Sequence, residues 1–324
     1  MEVNANFTLK SQNIIIQRVG GVPLEKRSLL ALSAMQTMAG RAIRDIKTGG
    51  KRETRNILKV CRSYARRPQQ QEFWDLVKKF LTSPGNQYQA LLHRAVCSVK
   101  EETLKTLMIN LSCNAFSAGR DLLCNEAAKG REYRWIQQLT PASDMQAVIH
   151  DWKQKGVFVF LLNLCDYQTH SSLLAELPAH NSRCVFIYIV SNAESDLSWA
   201  AKSPCSDNIC ILLTPKVIDH YAPWLLQQKL FFGVIRDYHD IQTLQDEHAQ
   251  LTHWIDSGCL LGVYYTGKHT LSKFQETDRY DTLKHVRRTG QLELFLCDLV
   301  QDSDLVQDIL LGRRTLLEHG TSSI

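Results

Sequence analysis

The segment Gly156-Val157-Phe158-Val159-Phe160-Leu161-Leu162-Asn163-Leu164-Cys165-Asp166-Tyr167 is a short apolar run that ends in polar residues. Amphipathic helices are predicted on either side of it, over 144–155 and 171–177. A second apolar run, Cys184–Val190, ends in the same way at Ser191-Asn192. This repetition of helix, buried strand and polar tip indicates a parallel sheet covered by helices. In such sheets, functional residues lie at the carboxyl ends of the strands.

The alternation of strand and helix continues along the rest of the chain. We predict six strands, over residues 157–164, 185–190, 209–213, 230–235, 260–265 and 292–297. The helices predicted between them cover 171–177, 218–228, 241–257 and 276–288. Pro223 lies inside the second of these helices, which is alternatively predicted to begin there. The pattern predicts an open or partial (β/α) barrel or a doubly wound sheet, and periodicity alone does not choose between them.

The first 130 residues have helical periodicity instead. Helices are predicted over 24–48, 54–66, 70–81 and 87–96. A fifth helix is predicted to begin at Ser98, because Ser98 and Glu101 have the spacing of a capping box. The predicted fold class is therefore α/β. A basic, all-helical N-terminal region at 1–132 precedes a partial (β/α) barrel at 133–324.

Composition narrows the class of protein. Of the 324 residues, 44% are hydrophobic, which is enough for a large core. No apolar run approaches the ~20 residues that a membrane-spanning helix needs, and the N-terminus lacks the pattern of a secretory signal. The ten cysteines include no Cys-x-x-Cys pair, and several lie in apolar runs. We therefore expect reduced, buried thiols and a cytoplasmic protein.

The net charge of +5 is unevenly distributed. Residues 1–68 contain 14 Lys and Arg against 4 Asp and Glu, a net +10, so the remainder carries −5. Such a basic segment is typical of a solvated helical face, but it also suits nucleic acid, an anionic membrane surface or an acidic protein. No aromatic stacking platform or zinc-finger pattern accompanies it.

Six stretches carry a resemblance to a known family. They are Asn56–Leu92, Leu104–Leu111, Gly156–Leu162, Cys184–Asn192, Trp254–Tyr265 and Leu294–Asp298, the last followed by Gly312-Arg313-Arg314. In this order they resemble the N-terminal helices, barrel strands and C-terminal loop of a group of bacterial radical SAM proteins. The resemblance implies a partial (β/α) barrel that once held an iron–sulfur cluster and S-adenosylmethionine.

The chain differs from that family in the residues that would hold the iron–sulfur cluster. Active members have Cys-x-x-x-Cys-x-x-Cys after the first barrel strand, but only Cys124 occurs between Asn114 and Asp144. That segment is short, so we expect the first strand and cluster loop to be deleted. The family's Gly-Gly-Glu-Pro tip falls at 162–166 and is not preserved. Because thiolates must hold such a cluster, we expect no cofactor, unless dispersed cysteines such as Cys113, Cys124 and Cys165 converge.

Other groups of residues give weaker indications of a binding site. Asp298, Asp302, Asp304 and Asp308 could bind a hard cation, although a solvated loop and helix start is the commoner reading. Gly267–Thr270 lacks the upstream part of a phosphate-binding loop.

Two histidines lie near predicted strand ends, where either could act in acid–base catalysis. They are His220, beside Tyr221, and His239, between Asp237 and Asp240. Surface histidines in loops are nevertheless far more common than catalytic ones. We assign no catalytic, cofactor-binding or metal-binding residue from these patterns.

The sequence therefore favours a radical SAM-like pseudoenzyme. We expect it to bind or regulate a protein partner, such as an active radical SAM protein. One alternative is an enzyme with a repurposed pocket at the barrel mouth, using Asp166, Asn192 or a histidine. Another is a nucleic-acid-binding protein that uses the basic N-terminal helices.

Overall fold

The computed structural model describes residues 24–49, 52–65, 67–82, 87–167, 171–202, 207–240, 244–266 and 273–313. The basic segment 1–68 is therefore described only from Leu24 onward. The residues Gly267–Thr270 lie outside the described part.

Seven parallel strands form one sheet in the order of the chain. They are β1 Ile136–Gln138, β2 Val159–Asn163, β3 Val185–Val190, β4 Ile209–Leu213, β5 Phe232–Asp237, β6 Leu261–Tyr265 and β7 Phe295–Asp298. The sheet curls into a half-barrel. This confirms the α/β class and fits a partial barrel. The strand order never reverses, which excludes the doubly wound alternative.

The helices precede the sheet or connect its strands, except for the last one, which follows β7. They are α1 Leu24–Lys47, α2 Arg52–Tyr64, α3 Pro68–Thr82, α4 Tyr88–Ser98, α5 Glu101–Ile109, α6 Arg120–Ala128, α7 Met145–Lys155, α8 Ser171–His180, α9 Ile218–Gln227, α10 Leu244–Asp256, α11 Lys273–Thr289 and α12 Gln301–Leu311. A π-helical stretch, Asn110–Gly119, joins α5 to α6.

The predicted deletion of the first strand is wrong. The short strand β1 lies between Asn114 and Asp144, and Ile136 pairs in parallel register with Val159 of β2. The prediction missed this strand because it has three residues, two of them glutamines, and so carries no apolar run. The half-barrel therefore has seven strands instead of six.

The predicted capping box is also wrong. The helix α5 begins at Glu101 after Lys100, and no side chain caps it. Ser98 belongs instead to the last turn of α4, where its hydroxyl donates to the carbonyl of Arg94 at 2.8 Å. Pro223 does not begin a helix, since α9 runs through it from Ile218 to Gln227.

The main core lies between the sheet and the helices that cover its outer face. Phe160 and Phe186 stack there at 5.6 Å, and both side chains are fully buried. The chain before β2 passes very close to the π-helical stretch. A Cβ at Gly156 would lie 2.3 Å from the carbonyl oxygen of Gly119. This close approach, and the positive φ of Gly156, require glycine there.

The helices α4 and α5 contact the chain just before several strands. Arg94 donates to the carbonyls of Ile255 and Cys259 at 2.6 and 3.0 Å, and also to the carbonyl of Glu293. The backbone N–H of Lys100 donates to Lys229 at 3.0 Å. These contacts place the two helices at the amino-terminal ends of the strands.

The last described helix, α12, connects the two ends of the sheet. It follows β7, yet Gln307 accepts a hydrogen bond from the backbone N–H of Trp135, just before β1, at 2.9 Å. The amide of Gln307 also donates to the carbonyl of Tyr133 at 2.8 Å. Arg120 of α6 donates to the carbonyl of Leu310 at 3.0 Å. The helices predicted before residue 130 are thus present, while the division of the chain at residue 132 stays a prediction.

Candidate functional site

The register of the sheet gives its concave face a polarity gradient. Side chains alternate between faces along each strand, and Ile189 of β3 pairs with Leu212 of β4, as Ile235 of β5 pairs with Val263 of β6. These apolar residues belong to a cluster separate from the core beneath the helices. Two residues further along each of these strands, toward its carboxyl end, the side chain on this face is polar. The sequence predicted polar strand tips, and the structure brings several of them together.

An open cleft of ≈ 380 Å³ lies at the carboxyl ends of the central strands. It is lined by Ser191, Thr214, Pro215, Lys216, Ile235, Arg236, Asp237, Gln250 and Tyr265. This volume falls within the ~300–1,000 Å³ range of small-molecule sites. Most of the lining side chains are polar, which suits a polar ligand.

Lys216 is the exposed cation of this cleft, and it forms no ion pair with the described residues. It lies in the turn Pro215–Val217 that leads into α9. The preceding Thr214 is held by its backbone, since its N–H donates to Val190 at 2.9 Å. Its hydroxyl oxygen is buried and has no hydrogen-bond partner in the described part of the chain. Lys216 therefore places an exposed ammonium at the cleft, whereas the hydroxyl of Thr214 is buried.

A buried ion pair involves Arg236, another residue of the cleft lining. Arg236 of β5 donates to Glu247 of α10 at 2.7 Å, and the two side chains are 5% and 14% exposed. The hydroxyl of Tyr264 donates to the other oxygen of Glu247. Burial, followed by the Glu247 carboxylate, holds the pKa of Tyr264 well above its usual range. Tyr264 therefore stays a neutral donor, and the network ties together α10 and β6, the elements that carry the lining residues Gln250 and Tyr265.

The carboxylate of Asp237 is the anionic group of the cleft. One of its oxygens accepts from the backbone N–H of His239 at 3.0 Å. The imidazole of His239 is exposed and does not take part in that hydrogen bond. His220 is also exposed and stacks edge-on against Tyr221 at 4.6 Å. Neither histidine lines the cleft.

The remaining predicted residues lie elsewhere. Asp166 is exposed in the turn after β2. The side chain of Asn192 accepts from the backbone N–H of Glu194 at 3.0 Å, so it stabilises its own loop. Cys165 contacts Ser191 at 2.9 Å, whereas Cys124 lies near the carbonyl of Leu310. These cysteines are not brought together.

The acidic residues near β7 have structural partners. Asp302 accepts from Arg287 at 2.8 Å and from Tyr280 at 2.7 Å. Asp298 is buried and accepts from the backbone N–H groups of Val300 and Gln301 at the start of α12. Asp304 instead lies 3.5 Å from Arg134. The described part of the chain contains no group of three or more His, Cys, Asp or Glu residues that could hold a metal ion.

The sequence did not single out Thr214, Lys216, Gln250 or Tyr265. The predicted strand 209–213 is followed directly by Thr-Pro-Lys, so the rule of polar strand tips could have found the first two. No feature of the sequence indicated Gln250, because it lies in the middle of α10 and reaches the cleft only through tertiary packing.

No family model matches the chain, and no curated protein or solved structure matches it either. The resemblance to radical SAM proteins therefore stays a prediction from short stretches of sequence. Among the described residues, no helix is long and apolar enough to cross a membrane.

Proposed function

We propose that this protein binds a small organic anion with a hydroxyl or amino group in the cleft at the carboxyl ends of β3 to β6. The observation that carries the proposal is the cleft itself, where an ammonium with no ion-pair partner among the described residues lines the same cleft as a carboxylate. Lys216 would bind the anionic group. Asp237 would accept a hydrogen bond from the hydroxyl or amino group.

The position of the cleft supports this proposal. Ligands of parallel α/β sheets bind outside the carboxyl ends of the strands, and α4 and α5 lie at the opposite ends. Among the residues that the structure describes, no Phe, Trp or Leu side chain lines the cleft. A mouth filled by such side chains would have favoured a role limited to protein binding.

Calorimetric titration with glycerol 3-phosphate and with malate tests the proposal. We expect saturable binding of at least one of these probes by the wild-type protein. The Lys216→Ala variant should bind roughly tenfold more weakly, since a lost charge-assisted hydrogen bond costs about 1.5–3 kcal/mol. The exposed Lys202, outside the cleft, provides the matched control as Lys202→Ala. No binding of either probe, or equal weakening in both variants, would contradict the proposal.

The pseudoenzyme that binds a partner protein, predicted from the resemblance, is a separate proposal. It requires that surface residues, not the cleft, carry the function. A partner isolated with the full chain should then stay bound when Lys216 is replaced by Ala. Loss of the partner in that variant would place its binding site at the cleft instead.

A further inference from the structure

The helix α2 carries a row of four exposed cations that the cleft does not use. Arg52, Arg55, Lys59 and Arg62 are spaced by three, four and three residues, and all four are exposed. Residues at this spacing lie on one face of a helix. At 1.5 Å per residue the row is about 15 Å long. We call these four residues the basic row.

The opposite face of α2 is fixed in a core. Leu58 and Cys61 are 6% and 4% exposed, and they pack with Met35, Ala39 and Ala42 of α1. This packing prevents α2 from rotating, so the basic row faces solvent as a fixed surface. Arg62 is also tied to Asp75 of α3 at 2.7 Å, while the other three form no ion pair with described residues.

We propose that the basic row binds the phosphate backbone of nucleic acid. A strand carries one phosphate per about 3.4 Å of helix axis, so the row can face several consecutive phosphates. Three of the four cations are arginines, whose planar guanidinium groups bind phosphate in a bidentate manner. The positive charge of the chain is concentrated in residues 1–68, at +10 against −5 for the rest, which steers a polyanion to this end of the molecule.

Two other anionic partners fit less well. A helix that lies on a membrane needs apolar side chains to insert. Among the residues whose side chains the structure describes, which exclude 24–32, Ile57 and Val60, the exposed large hydrophobic residues are Leu111, Phe295 and Val300, and none of these lies on α1 or α2. An acidic protein would not require arginines at regular spacing. Without an aromatic platform among these residues, the expected binding is independent of base sequence.

Fluorescence anisotropy with the full chain tests this inference. The probes are an end-labelled 20-base-pair DNA duplex and a single-stranded RNA of 20 nucleotides, titrated between 50 and 200 mM salt. Four phosphate contacts predict a slope of log K against log salt of about −3.6 for the duplex. Replacing Arg55 and Lys59 together by Gln should reduce this slope to about half and weaken binding at 50 mM salt at least tenfold.

The matched control replaces Lys129 and Lys202, two exposed lysines outside the row, by Gln. A thermal melt of each variant verifies folding. Absence of binding at 50 mM salt, or equal loss in the control, would overturn the inference. So would binding to phosphatidylserine vesicles without binding to either nucleic acid, which would reassign the row to a membrane surface. The Lys216→Ala variant should bind nucleic acid as the wild type does, which separates this site from the cleft.

Discussion

At the scale of single residues, the ion pair between Arg236 and Glu247 is the contact that most directly shapes the cleft. Both charges are removed from water, so each depends on the other for compensation. Glu247 also accepts from Tyr264, whose ring stacks on Tyr238 at 5.2 Å. Loss of Glu247 would therefore remove the carboxylate that pairs with a buried cation and accepts from a buried hydroxyl.

We expect Glu247→Ala to lower the free energy of unfolding by about 3–5 kcal/mol. Glu247→Gln should cost less, because its amide oxygen still accepts one hydrogen bond. Chemical denaturation of both variants measures the difference. The pair of Lys155 and Asp151, in which the Asp151 side chain is 58% exposed, provides the control, since Asp151→Ala should cost less than about 1 kcal/mol. Equal costs at the two positions would contradict the argument.

Asp298 gives a prediction about pH. Burial raises the pKa of its carboxyl above the usual value, against the opposing effect of the backbone donor Gln301. A raised pKa in the folded state means that ionisation of Asp298 costs stability. That cost is present above the folded pKa and disappears as the pH falls toward the unfolded value of about 3.9.

Asp298→Asn keeps an oxygen that can accept from Val300 and Gln301, and it removes the titration. We therefore expect the stability of this variant relative to the wild type to be greatest at pH 7 and to decline as the pH is lowered to 4. Urea unfolding of both proteins across this range gives the difference. A difference that stays constant with pH would show that burial of Asp298 does not perturb its carboxyl.

The sequence predicted part of the candidate site at this scale. Ser191 and Asp237 were placed at strand ends by the polar residues that follow apolar runs. Asp166 and Asn192 were named on the same grounds, but they lie outside the cleft lining. Which tips converge depends on the register between strands, and that register is set by packing across the sheet.

At the scale of elements, Gly233 controls the approach of β5 to β6. A Cβ at this position would lie 2.4 Å from the carbonyl oxygen of Leu261. Backbone atoms cannot move away as a flexible side chain can, so the strands would have to separate. We expect Gly233→Ala to destabilise the protein by about 1–3 kcal/mol, measured as a lower midpoint of denaturation.

Gly40, inside α1, is the comparison for Gly233. A Cβ there would meet the flexible side chains of Glu101 and Lys105 at 3.2 and 3.6 Å. Since alanine is the better helix former by about 1 kcal/mol, Gly40→Ala should leave stability unchanged or raise it. If both glycine variants behave alike, the strand contact is not the cause.

The elements show why some predictions succeed. Both β3 and β4 match the predicted bounds, because each is a continuous apolar run; β4 is buried throughout, and β3 is buried except for the partly exposed Ile187 and Ile189. The β5 strand was placed two residues early, because its polar last residues, Arg236 and Asp237, break the apolar pattern. The shortest strand, β1, was missed because its place in the sheet depends on pairing with β2, not on its own composition.

At the scale of the whole molecule, contacts far apart in the chain tie the helices to the half-barrel. Asn110 donates to the carbonyls of Ser182 and Cys184 at 2.8 and 2.9 Å. Gln70 donates to the carbonyl of Phe116 at 2.7 Å, and α12 contacts both α3 and α6. The sequence could not predict this arrangement, since helical periodicity shows which face is buried but not what covers it.

These contacts predict that the described helices and the half-barrel unfold together. Differential scanning calorimetry should show one transition, with the calorimetric enthalpy equal to the van't Hoff enthalpy. Two resolved transitions would support the division at residue 132 instead. The fluorescence of Trp74 reports on the N-terminal helices, and that of Trp254 reports on the half-barrel. Replacing each by Phe would therefore identify which part unfolds first.

The central claim is that the cleft at the carboxyl ends of the central strands is the ligand site. A crystal structure of the protein soaked with glycerol 3-phosphate tests this most directly. The account predicts a phosphate within hydrogen-bond distance of the Lys216 ammonium, with a ligand hydroxyl near Asp237. An empty cleft at saturating ligand, or a ligand bound only at the basic row, would contradict it.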